Sequence, residues 1–267
     1  MQMTCFVISF LSEEMFNISL VSLSLLSIAS TSPLLTLNTY YGSSLSTNIV
    51  KSHFSATFSN ILYSSSLMHK THILYSEFTH TLESALAFTN AQFTCQTSEE
   101  TRETQDYTET QAVDQESQCS ELSIVNCKFI KCESTGSGGG LSVTADVKIV
   151  IHNTIFGNCT AKHFGGAALV CKSLNSTTDK KTFNDTRTNA LDVQYCCFQF
   201  CDASQNSYGT CLFSASTNTT LLYASTVGCS TNSKGAQFDL QMDSVHSQYV
   251  NITGGKSFYC GAIEYRY

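Results

Sequence analysis

The chain has no tryptophan, one proline (Pro33) and only three arginines, Arg102, Arg187 and Arg266, in 267 residues. Charged residues are 13% of the total and the formal net charge is −7. Nucleic-acid binding depends on a basic stripe that neutralises phosphates, so no nucleic-acid partner is expected. A single proline and no tryptophan suit a monotonous repeat better than an ordinary enzyme. Apolar residues at helical spacing are hard to find in 122–267. No Cys-x-x-Cys pair occurs among the thirteen cysteines, which argues against a structural zinc site. Beyond residue 33, no run reaches the ~18 apolar residues that a spanning helix needs. A membrane would be reached only through an anchor these residues do not contain.

What the chain does have is a repeat. Gly139, Gly166, Gly209, Gly235 and Gly261 follow one another at intervals of 27, 43, 26 and 26 residues. Each opens a short run of small and apolar residues, from Gly-Gly-Leu-Ser-Val at 139–143 to Gly-Ala-Ile-Glu-Tyr at 261–265. Ahead of the first three stand Phe129-Ile-Lys-Cys132, Phe156-Gly-Asn-Cys159 and Phe198-Gln-Phe-Cys201, with weaker echoes at Val227-Gly-Cys229 and Val250-Asn-Ile252. These runs are rich in β-branched and aromatic residues and bounded by Ser, Thr, Asn and Gly, as strands are.

A regular period of this size marks a solenoid. The spacing therefore predicts an all-β fold, a right-handed parallel β-helix with coils of about 26 residues. A leucine-rich repeat would need a Leu-x-x-Leu-x-Leu frame, which is missing. Coils stack at roughly 4.8 Å, so Phe129, Phe156 and Phe198 should form one interior column and Cys132, Cys159 and Cys201 another. The Gly-small pair suits a tight corner, through φ > 0 or close backbone approach. The 43-residue interval is one coil plus a polar loop insertion at 172–190.

Gly165-Gly-Ala-Ala168 and Cys260-Gly-Ala-Ile263, with Phe156-Gly-Asn158, resemble the Gly-Gly-Ala-Ile and Phe-x-x-Asn repeats of polymorphic outer-membrane-protein-like surface proteins. More broadly the chain is similar to right-handed β-helix proteins of the pectate-lyase-like superfamily. The resemblance covers about half the chain. Its Asn arrives one residue early in Phe156–Asn158, and elsewhere Cys usually takes that place. The resemblance implies display at a cell surface and a part in adhesion.

The remaining stretches are less regular. Within 1–33, Phe16 to Ala29 is apolar and ends in small residues, as in a secretory signal peptide, although Glu13 and Glu14 stand where a basic region belongs. Initiation at Met15 would remove them; the alternative is an N-terminal apolar cap or first strand. Residues 34–97 read as degenerate coils, with Phe93 as the aromatic preceding Phe129. Residues 98–121 carry eight of the 21 acidic residues and one basic residue, an acidic loop insertion. A calcium site there would need a ligand frame that is not present. Asn175, Asn184, Asn218 and Asn251 begin Asn-x-Ser/Thr triplets, candidate N-glycosylation sites of a secreted chain.

Two readings of the cysteines stay open: free thiols packed as small hydrophobes, or disulfide bracing in an oxidising compartment. For catalysis, the polygalacturonase motifs Asn-Thr-Asp, Asp-Asp, Gly-His-Gly and Arg-Ile-Lys are absent. His152, His163 and His246 look isolated, and acids such as Glu133, Asp192 and Asp202 do not recur at coil spacing. Fold alone confers no chemistry. The expectation is a non-enzymatic secreted or cell-surface protein, without cofactor or metal, binding host or neighbour-cell glycans or proteins. The alternative is a polysaccharide lyase or glycoside hydrolase with a degenerate active site.

Overall fold

A computed structural model of the chain describes residues 6–10, 16–26, 32–39, 45–64, 68–91, 121–145, 147–171, 188–203, 209–231, 236–255 and 262–266. Every regular element among them is a β-strand, and every strand pairing is parallel. They form a parallel β-solenoid. One coil shows the plan. Leu141–Ala145 lies on a first face, Lys148–His152 on a second, Ile155–Gly157 on a third, and Thr160–Ala161 on a short fourth side. The chain then returns so that Ala168 sits over Leu141, 27 residues later.

Local sequence explains each segment. Lys148-Ile-Val-Ile-His152 alternates outward and inward residues, so Ile149 and Ile151 enter the core while Lys148 stays exposed. Every left-handed residue among those described falls at one of three corners. The first, between second and third faces, holds Ser22, Lys51, Tyr75, Asn126, Asn153, Tyr195, Tyr223 and Tyr249. The second, after the third face, holds His80, Lys131, Asn158, Phe200, Gly228 and Gly254. The third, before the first face, holds Gly138, Gly165 and Gly209. Corner amides keep their bonds to the next coil, as in Tyr195 N–H to the Leu222 carbonyl at 3.0 Å. Along the first and second corners the stack therefore turns with such amides still paired.

The expected aromatic column is present and longer than the repeat suggested. Phe54, Phe78, Phe129, Phe156 and Phe198 stack with ring centroids 4.9–5.4 Å apart and planes within 14°. All five are buried, each worth about 1.5–3 kcal/mol in transfer from water. Stacking adds about 0.5–1.5 kcal/mol per pair. The neighbour of Phe129 is Phe78, through the pairing of Lys128–Ile130 with Glu77–Thr81. Phe93, expected in that role, lies outside the described residues.

The apolar stretch near the N-terminus sits in the stack: Phe16–Val21 pairs Leu45–Val50 and Ser24–Leu26 pairs His53–Thr57. The two insertions are shorter at one end than the sequence suggested, because Glu121 opens the strand Glu121–Val125 and 188–190 belong to Thr188–Gln194. Residues 98–120 and 172–187 lie outside the described residues. The flanking strands keep their parallel pairing with their neighbours, with a register shift between Thr89 and Ala91. In the coils of Leu212–Leu222 and Phe238–Gln248, one eleven-residue strand runs through both the first and second faces.

Candidate functional site

The glycine row splits in two. Gly209 is in register with Gly138 and Gly165, all at φ near 60°, because Leu141, Ala168 and Leu212 are paired. Gly139 and Gly166 occupy the next position, where close approach is the constraint: a Cβ on Gly166 would lie 2.2 Å from the Thr210 carbonyl oxygen. Gly235 and Gly261 lie outside the described residues, as do Asn175 and Asn184.

The cysteines do a second structural task. Cys132, Cys159, Cys201 and Cys229 each follow a left-handed second-corner residue. Their thiols donate to carbonyls of the preceding coil: Phe78, Phe129, Phe156 and Phe198, at 3.3–3.5 Å. At the first corner Cys127 and Cys196 donate likewise to Ile73 and Ile151, at 3.3 and 3.2 Å. Ser76 and Thr154 make the same bond there, both at 3.5 Å, to Ile49 and Ile124. Cysteine thus stands in for serine and threonine as a corner donor. All nine described cysteines are free. Burial pushes the Cys127 thiol up to about 11, those of Cys171 and Cys196 up to about 12, and those of Cys159, Cys201 and Cys211 well above the ordinary value. Those six thiols, so protonated and enclosed, are poor nucleophiles, whereas hydrogen bonds from the Cys201 and Cys211 thiols lower that of Cys229 to about 4, and Cys132 is lowered as well.

Two polar arrangements escaped the sequence. His152, expected to be isolated, has Nε2 3.1 Å from Asp192 Oδ2, and Gln194 Nε2 donates to the same carboxylate at 3.0–3.1 Å. The row arises because Val150 is paired with Asp192 on adjacent strands. On the fourth side a groove of about 470 Å³ runs past Glu133, Thr135, Lys162 and Asp202, walled by Leu82. Glu133, Thr160 and Asp202 are successive partners in register, so these acids do recur, two coils apart. Partial burial raises the Asp202 carboxyl above its ordinary value, offset in part by the Ala203 N–H. Among the described residues no group of three or more His, Cys, Asp or Glu is placed to hold a metal ion. No described helix is long and apolar enough to cross a membrane.

The exposed apolar residues are not scattered. Tyr75, Tyr195, Tyr223 and Tyr249 occupy the first corner, with Val21 beside it. Leu26 and Val227 point out from the third face. Phe200 is on the second corner, with Phe58 and Leu82 just past it. Among the described residues, only Tyr265 of the large exposed hydrophobics lies on the first face. The outward side of the first face is instead covered near Leu169, Cys171, Phe213 and Ala215, which form a second buried cluster with Phe164 against it.

Within that stripe, Tyr195, Tyr223 and Tyr249 form an external ladder. Neighbouring rings are 4.7 Å apart and within 8° of parallel, while the residues are 55%, 45% and 69% exposed. All three adopt φ between 51° and 54°, which bulky side chains rarely do. Spacings of 28 and 26 residues were the available signal. Of the candidate glycosylation sites, Asn251 is exposed on the third face two residues after Tyr249, and Asn218 is exposed on the second face, its side-chain oxygen accepting from Ser244 Oγ. No family model, no curated protein and no solved structure matches the chain.

Proposed function

We propose that this chain is a non-enzymatic secreted or cell-surface solenoid that binds glycans or proteins of a host or neighbouring cell, in the manner of the adhesion-associated surface repeat proteins its glycine and phenylalanine motifs resemble. The observation that carries this reading is the stripe of exposed aromatic and apolar residues along the third face and its corners. Contiguous exposed apolar surface marks interaction sites, and tyrosine is favoured at recognition surfaces because it offers large rigid area with a polar tip. A rigid stack also repeats its surface at every coil, so many weak contacts can act together. The test is adhesion of the purified full chain to candidate cells, compared with a Y195N/Y223N/Y249N variant. At least a tenfold loss is expected; equal binding by the variant would overturn the reading.

The groove on the fourth side favours a second reading, a polysaccharide lyase or glycoside hydrolase. Glu133 and Asp202 stand two strand spacings apart, roughly 9.6 Å on the backbone. That is close to the ~6.5–9.5 Å that inverting hydrolysis uses between its carboxylates. Chain cleavage of polysaccharides that E133Q and D202N both abolish would establish it in place of the binding reading.

A further inference from the structure

Resting on the binding reading, the geometry points to the ladder of Tyr195, Tyr223 and Tyr249 as the seat of an uncharged, linear saccharide chain laid parallel to the solenoid axis. Three observations converge on that ligand class. The first is the charge pattern. Across the three coils that carry the ladder, the outward residues of the first corner and third face include no acid or base, and the Asp192 carboxylate on the adjoining second face is engaged by His152 and Gln194. The groups flanking the rings are amides and hydroxyls, such as Gln194, Gln248 and Asn251. Earlier coils differ at the same positions: His53 lies 3.5 Å from Glu77, and Lys128 follows above them. A neutral patch on a chain of net charge −7 offers nothing to a polyanion, and so disfavours nucleic acid, anionic lipid and uronic-acid polymers alike.

The second is periodicity. The ladder is one ring wide and repeats at 4.7 Å, the spacing set by hydrogen-bonded strands. A folded protein surface matches it only where its own strands stack at that spacing. An extended saccharide has one, since its rings follow in series at a similar interval. The third is what the rungs present. Stacking occupies the inner faces of the rings, leaving their edges and a row of phenol hydroxyls toward solvent. Each hydroxyl both donates and accepts, which matches the hydroxyls of a sugar.

The experiment titrates the full chain with linear neutral oligosaccharides of one to about six sugar units, alongside polygalacturonate fragments of the same lengths. Affinity for the neutral series is expected to rise with length and level off once three rungs are spanned. Y223N should weaken it at least tenfold, and K51N, at the same corner but outside the ladder and the apolar stripe, should leave it unchanged. Asparagine is native to this corner at two other coils, so the variants keep a compatible backbone, which thermal melts would verify. Absence of binding to every neutral oligosaccharide, a preference for the acidic series, or binding indifferent to Y223N would each overturn the proposal. Ladder-dependent cell adhesion that saturating neutral oligosaccharide cannot compete would sink the saccharide while leaving the adhesion reading standing. Loss of both would sink the two together.

Discussion

The Cys159 thiol donates to the carbonyl of Phe129 in the preceding coil at 3.3 Å, the bond that Thr154 Oγ1 makes to Ile124 one corner earlier. A small hydrophobe would not need that geometry. If donation matters, C159S keeps the bond and should cost no more than about 1 kcal/mol, whereas C159A leaves the site without its donor and should cost about 1–3 kcal/mol. Paired denaturation curves decide it. A C159A variant more stable than C159S would return the column to simple apolar packing.

The repeat made the solenoid legible because stacked coils force like residues onto like, and Phe129, Phe156 and Phe198 obey that rule at visible spacing. Phe54 and Phe78 obey it too but were hidden, since Thr57 and Thr81 replace the cysteine three residues on. Serine, threonine and cysteine looked like different signals and turned out to fill one role. The tyrosine ladder was harder to see. A residue at a left-handed corner belongs to no strand pattern, and Lys51, Asn126 and Asn153 break the column before tyrosine takes it over. The groove acids were missed because Glu133 and Asp202 are separated in sequence by two coils and an insertion. Alignment across two coils is a property of register, which the spacing of the glycines fixed only to within one residue.

Alkali should unfold the protein. Burial raises the Cys127 and Cys196 thiols from an ordinary value near 9.0 to about 11 and about 12. Their neutral form is favoured in the folded state, so this contribution is fully present below pH ~9 and is lost as pH climbs through those raised values. In that window each thiol removes about 1.4 kcal/mol of stability per pH unit. Denaturant melts across the window should show a steep fall, and C127S/C196S should flatten it. A slope unchanged in the double variant would refute the assignment to these thiols.

Gly166 should be nearly irreplaceable. An alanine Cβ there would sit 2.2 Å from the Thr210 oxygen and 2.3 Å from the Asp202 oxygen, both backbone atoms held by neighbouring coils. Relief requires prising coils apart, and overpacking of this kind costs about 1–3 kcal/mol or more. G166A is expected to lower the melting temperature sharply, while G136A, whose added Cβ would meet only Ser134 Oγ at 3.6 Å, should change it little. Equal melting temperatures for the two would show that the corner can yield.

Tyr75 and Tyr223 share a corner and a backbone conformation but differ in their neighbours, so the same substitution should change stability in opposite directions. Tyr75, at φ 51°, lies between Lys51 and Asn126 at the equivalent positions and has no ring to stack on. Asparagine tolerates the left-handed region better, and a left-handed L-residue costs about 1–2 kcal/mol. Y75N should therefore stabilise the fold by up to about 1 kcal/mol. Tyr223 has the same φ of 51° but lies between Tyr195 and Tyr249, 4.7 Å from each. Y223N gains the same relief and forfeits two stacked pairs, each worth about 0.5–1.5 kcal/mol. The net result should be neutral to about 2 kcal/mol destabilising. Chemical denaturation of the two variants measures the difference directly. If Y223N stabilised as much as Y75N, the rings would be stacking without holding one another, and the ladder would be a consequence of the coil rather than a built surface.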